Sequence, residues 1–70
     1  MTIAVMDGMG GGIGAGIISQ IRKEIGNSVT VIALGTNSSA TEKMIHAGAG
    51  KGATGENAIR VMLRDADYIM

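Results

Sequence analysis

The chain has 70 residues, a formal net charge of zero, no cysteine and a single aromatic residue, Tyr68. A chain of that length makes one small domain, residues 1–70, that buries only around 60% of its unfolded surface. Disulfides, thiolate zinc sites, a basic aromatic-interleaved nucleic-acid surface and a membrane span are all excluded by composition.

No charged segment precedes an apolar one at the start, so no signal peptide is expected and a cytoplasmic location follows by default. With one aromatic residue, the core must come from Ile, Val, Leu, Met and Ala. Six methionines point to an adaptable core or a partner-facing surface.

Thr2-Ile3-Ala4-Val5-Met6 is a short apolar run with β-branched residues, and reads as a strand buried on both faces. A glycine cluster follows: Gly8, Gly10, Gly11, Gly12 and Gly14. Ile13, Ile17, Ile18, Ile21 and Ile25 then recur at helical spacing, and Gly26 stops the helix. The helix is expected from about Gly12 to Ile25, with Arg22 and Lys23 in its last turns, where cations suit the dipole. Gly26-Asn27-Ser28 is a turn. Val29 to Leu34 is a second apolar strand, and Gly35-Thr36-Asn37-Ser38 is the loop after it.

Ser39-Ala40-Thr41-Glu42 fits a capping box and opens a short helix to about Ala47 that buries Met44 and Ala47. A second glycine cluster runs from Gly48 to Gly55, with Thr54 the expected N-cap of a third helix. Ile59, Met62, Leu63 and Ala66 form that helix's apolar face. Asp67-Tyr68-Ile69-Met70 begins a last strand. The expected pattern is β-α-β-α-α-β, an α/β unit with a parallel sheet of about three strands in the order 2-1-3 and helices on both faces. The first strand is then central, and a cleft opens between it and the last strand. The open edge at the last strand needs cover, either from a second copy or from further chain. A homodimer touching through Tyr68, Ile69 and Met70 is the expectation.

Strand, glycine turn and helix together open a nucleotide-binding βαβ unit. Glycine lets the backbone turn sharply and lets a phosphate reach the free N–H groups at a helix N-terminus. Gly10-x-Gly12-x-x-Ala15 fits the relaxed dinucleotide pattern. Gly8-x-x-x-Gly12-Ile13-Gly14 resembles the turn of short-chain dehydrogenases, with Asp7 in place of their usual threonine. The competing reading is that the glycines only permit tight helix–sheet packing.

Three departures bear on the match. The second strand ends in Leu34-Gly35-Thr36-Asn37, without the acidic residue that usually holds the ribose hydroxyls. Thr36 and Asn37 could hydrogen-bond a ribose instead, and Ser38, Ser39 and Lys43 lie close in sequence. Asp7 would repel a phosphate unless it faces away, and its expected role is an Asx turn that satisfies loop N–H groups. No lysine can follow Tyr68 at the Tyr-x-x-x-Lys spacing, so dehydrogenase chemistry is absent. A methyltransferase glycine spacing is also missing.

Gly48 to Ala58 is a second candidate site. It is not a Walker A loop, because Gly50-Lys51 is not followed by Ser or Thr. In the 2-1-3 order this loop approaches the first glycine turn. Lys51 and Thr54 then either meet a ligand phosphate or are an ordinary surface lysine and cap. His46, near a helix C-terminus, reads as a solvated or capping residue.

Ile3 to Gly14, Ala33 to Asn37 and Gly52 to Ile59 together resemble a bacterial family of short Rossmann-like proteins known only as a domain of unknown function. The resemblance spans essentially the whole chain. It implies a Rossmann-like fold and no reaction, and members run to about twice this length. On that resemblance the chain is an N-terminal portion or a shortened relative.

The expected function is binding of a phosphate-bearing nucleotide, NAD or NADP first, without catalysis in these 70 residues. The ligand would contact Gly8, Met9, Gly10, Gly11, Gly12, Ile13 and Gly14, with Thr36, Asn37, Lys51 and Thr54 around it. The alternative is a structural or regulatory self-associating module with no small-molecule ligand.

Overall fold

The computed structural model describes residues 1–70. The elements in chain order are β1 (Thr2–Asp7), α1 (Gly12–Glu24), β2 (Thr30–Gly35), α2 (Ser38–His46), β3 (Lys51–Thr54), α3 (Glu56–Leu63) and β4 (Tyr68–Ile69). Four parallel strands lie in the order β3-β2-β1-β4.

The expected placement of β1 between the second and the last strand is found. The expected count of three strands in the order 2-1-3 is corrected by β3, which adds outside β2 and makes the pattern β-α-β-α-β-α-β. The segment Lys51-Gly52-Ala53-Thr54 carries no apolar alternation, and only Ala53 is even half-buried. Its pairing comes from the neighbour: Ile32, Ala33, Leu34 and Gly35 of β2 lie level with Lys51, Gly52, Ala53 and Thr54. A Cβ at Gly52 would come within 2.7 Å of Ile45 Cδ1 and 2.8 Å of Thr41 Cγ2. Glycine there lets α2 lie close on the strand.

The crossovers explain the layers. Steps from β1 to β2 and from β2 to β3 run the same way, so right-handed connections put α1 and α2 on one face. The connection through α3 returns past two strands to β4 and lies on the other face. The core divides accordingly. Ile3, Val5, Val31 and Ala33 pack with Ile18 of α1 and Met44 of α2. Ala4, Ile32 and Leu34 pack with Ile59 of α3. Strand residues alternate between faces, so the apolar runs of β1 and β2 serve both cores, as expected for central parallel strands.

Three local expectations are corrected. The cap of α2 is Asn37, whose Oδ1 accepts from the Ala40 amide at 2.9 Å, and not a Ser39–Glu42 box. Ser39 falls inside the helix because Ser38 already opens it. The N-cap of α3 is Gly55, at φ +95°, with no side-chain bond. Thr54 ends β3, and its hydroxyl lies 2.8 Å from that of Thr41. The α1 stripe is narrower than the isoleucine spacing implies. Ile18 is fully buried and Ile17 and Ile21 pack against the core, but Ile13 and Ile25 are 78% and 49% exposed. They stand at the two ends of the helix, Ile13 in its first turn and Ile25 as its C-cap. Arg22 spans to three backbone carbonyls, those of Gly48, Gly26 and Val29, at 2.8–2.9 Å. It thereby ties the end of α1 to the start of β2 and the end of α2. No helix is long and apolar enough to cross a membrane.

Candidate functional site: the glycine turn between β1 and α1

Parallel pairing brings the C-terminal ends of β1 and β2 level, with Asp7 opposite Gly35. The loops that follow both strands therefore open on the same side, and the Thr36 amide donates to the Asp7 carbonyl at 3.2 Å. Gly11 caps α1 in the left-handed region at φ +88°, where glycine carries no steric penalty.

Asp7 is the internal anchor of the turn. It is buried, and its Oδ1 accepts from the Met9 amide at 2.8 Å and its Oδ2 from the Gly14 amide at 2.9 Å. The first of these bonds is the expected Asx turn; the second caps α1 from the strand. The Gly14 and Met9 amides, in that order, hold the carboxyl below its ordinary pKa. Desolvation opposes them, while the Gly11 amide and the Lys43 ammonium add to them. A carboxylate thus already takes one of the free N–H groups at the α1 N-terminus.

The glycines fall into two groups by what surrounds them. A Cβ at Gly11 would meet the Ala40 carbonyl oxygen at 2.7 Å, and one at Gly14 would meet Met44 Sδ at 2.5 Å and Asp7 Cβ at 3.2 Å. These two serve close packing of α2 and β1 against the turn. Gly14 fills the helix–strand role of the last glycine in such fingerprints, the position that the Gly8-x-x-x-Gly12-x-Gly14 reading gives it. Gly10 and Gly12 instead face open space. The amides of Gly10, Gly12 and Ile13 have no hydrogen-bond acceptor within the protein. They form an exposed ledge rather than an enclosed cavity, because the surface concavities lie elsewhere, along β4 and α1.

The loop after β2 closes one side of this ledge. Thr36 is exposed, its methyl 3.9 Å from where a Gly8 Cβ would stand. Asn37 donates from Nδ2 to the Met9 carbonyl at 3.0 Å while capping α2, so both ends of its amide are engaged.

The structure does not bring the second glycine cluster here. Thr54 is level with Gly35 but one strand further out than β2, about 10 Å from β1. Lys51 is level with Ile32, another 10 Å or so down the strand. Both are displaced because β3 occupies the outer side of β2. His46 ends α2 as an exposed residue. The cation beside the turn is Lys43, whose Cβ would lie 3.1 Å from a Gly11 Cβ. Only the register of α2 against Gly11 singles it out from the other lysines. No group of three His, Cys, Asp or Glu residues could hold a metal ion.

The family model of a domain of unknown function, DUF3842, matches residues 2–70. The chain belongs to the DUF3842 family. Searches of curated proteins and of solved structures returned no match. The DUF3842 assignment covers both glycine clusters and all four strands. A family of unknown function supplies no reaction, so any role for its glycine turn rests on the residues themselves.

Proposed function

We propose that the turn from Gly8 to Gly14 binds the phosphate portion of a nucleotide, with NAD and NADP the first candidates. The observation that carries this reading is the exposed run of unpaired amides at Gly10, Gly12 and Ile13, at the N-terminus of a 13-residue helix. Such a terminus favours negative charge through its dipole and its free N–H groups. Its location supports the same reading. The order β3-β2-β1-β4 matches the first four positions of the doubly wound 3-2-1-4-5-6 sheet. In such sheets ligands bind outside the carboxyl ends of the strands, beside the first strand. This is also the ground for calling the fold Rossmann-like.

The fit to a dinucleotide differs between its two parts. The phosphate portion has three amides, with Lys43 alongside. Asp7 spends its charge inward on Met9 and Gly14 and leaves those three amides to the ligand. The ribose portion lacks the usual carboxylate, and Asn37 is committed to Ala40 and Met9. The exposed Thr36 hydroxyl is the group left to face a ribose. The reading is therefore of binding and not of a reaction.

Thermal unfolding with NAD, NADP, ATP and S-adenosylmethionine tests it. A ligand at about ten times its Kd adds about 1.4 kcal/mol to stability, which is roughly 5–10 °C in Tm for a domain of this size. A rise with at least one of these nucleotides supports the reading. The competing reading is a self-associating module without a ligand. It gains support if Tm ignores every nucleotide at millimolar concentration and rises with protein concentration instead.

A further inference from the structure

A buried carboxylate stands beside the place where the turn offers free amides. Asp7 is 7% exposed, and it accepts from the Gly14 amide at 2.9 Å and from the Met9 amide at 2.8 Å. Gly12 and Ile13 directly precede Gly14 in the first turn of α1, and their amides have no acceptor within the protein. An anion received by Gly12 and Ile13 therefore takes the amides next to the one that Asp7 holds. No charged side chain belongs to the turn from Gly8 to Gly14 or to the loop from Thr36 to Ser39. The charged residues of α1, Arg22, Lys23 and Glu24, stand at its far end. On α2, His46 is at the end away from the Asn37 cap. Glu42 and Lys43 are both exposed, and of the two only Lys43 acts on the Asp7 carboxyl.

We infer, on the reading that the turn binds a nucleotide phosphate, that Asp7 makes it selective for phosphodiesters, with one charge per phosphate, over terminal phosphate monoesters, with two. The N-terminus of α1 is worth about half a positive charge. The Asp7 carboxylate, with a full negative charge, more than offsets it. A phosphate oxygen on the Ile13 amide would stand roughly 6 Å from the carboxylate, about two hydrogen-bond lengths. At that distance each further negative charge on the ligand costs on the order of tenfold in affinity, between the limits of protein interior and bulk water. Lys43 answers from solvent, where salt screens it. A diester makes the same hydrogen bonds to the amides with the least charge on each phosphate. The ligand class is thus a diphosphate esterified at both ends, as in a dinucleotide, and not a free nucleoside diphosphate or inorganic phosphate.

Proton chemistry separates the two ligand classes. A monoester gains its second charge near pH 6, at roughly that pKa, whereas a diester has no proton to lose there. Asp7 stays ionised across this range, because the Gly14 and Met9 amides hold its carboxyl below 3.8. Its charge is therefore constant while that of a monoester changes. Protein groups that titrate in the same range act on both ligands, so the ratio of the two affinities cancels them.

Isothermal titration calorimetry with NAD and with ADP, from pH 5 to pH 8 in magnesium-free buffer of low ionic strength, tests the inference. Both ligands carry adenosine diphosphate, and only ADP ends in a monoester. The ratio of the ADP Kd to the NAD Kd is expected to rise on the order of tenfold across this range. Asp7→Asn is expected to remove most of that rise. The wild-type series alone decides the matter if circular dichroism shows that the variant does not fold. A wild-type ratio that stays level, or falls as ADP gains its charge, overturns the inference and leaves nucleotide binding standing. So does a folded Asp7→Asn variant whose ratio rises as steeply as wild type. Binding of neither ligand at millimolar concentration at any pH overturns the nucleotide reading itself, and the inference with it.

Discussion

Single residues in the turn separate its two demands, packing and openness. Gly14 sits against Met44 and Asp7, so Gly14→Ala forces a methyl group into a filled space and costs about 1–3 kcal/mol. Gly12 faces solvent at the first helical position, and Gly12→Ala changes stability by less than about 1 kcal/mol. The same methyl stands where a phosphate would approach, so Gly12→Ala keeps its Tm and loses the ligand-induced rise. Denaturant unfolding and ligand-dependent melting of the two variants measure both effects. Asp7 carries a pH signature. Its folded pKa lies below the ordinary value of 3.8, mainly through the Gly14 and Met9 amides. A depressed carboxyl contributes stability that is fully present above the unfolded pKa and is lost as pH falls through the folded one. Asp7→Asn therefore lowers Tm at pH 7 and flattens the loss of Tm below about pH 4. Melting curves from pH 7 to pH 2 check this, and wild-type and variant curves that run parallel would speak against it.

At the level of elements, the start of α2 gives a paired test. Asn37 caps the helix and also holds the Met9 carbonyl, so Asn37→Ala costs about 1–2 kcal/mol. Ser39 lies inside the helix without a capping bond, and Ser39→Ala is neutral within about 0.5 kcal/mol. Chemical denaturation distinguishes the two, and the reverse ranking would restore the capping box. The sequence favours that box because Ser39 and Glu42 have its spacing. Asn37 prevails because its side chain satisfies both the helix and the neighbouring turn. Strands β1 and β2 and all three helices are legible from apolar runs and periodicity. Strand β3 is not, because its pairing is imposed by β2 and its glycine by α2, neither of which leaves a local pattern. The Asx turn at Asp7 was legible. The bond from Asp7 to Gly14 spans seven residues and requires the fold to be known.

For the molecule as a whole, the apolar run of β1 and the central position it implies favour the last strand beside β1, while right-handed crossovers alone fit either edge. They do not place β3, and with it goes the convergence of the two glycine clusters. Had the sheet been 2-1-3, Lys51 would have stood near the turn; with β3 outermost, that place falls to Lys43. Both outer edges of the sheet are short, β3 spanning Lys51–Thr54 and β4 Tyr68–Ile69. The central claim is that the amides of Gly10, Gly12 and Ile13 receive a nucleotide phosphate. Titration of the ¹⁵N-labelled protein with NAD and NADP, followed by amide resonances, tests it most directly. The account predicts saturable shifts strongest at Gly10, Gly12 and Ile13, extending to Thr36 and weak at Lys51 and Thr54. Amides of the turn that stay unmoved at millimolar nucleotide, or shifts centred away from it, would contradict the claim.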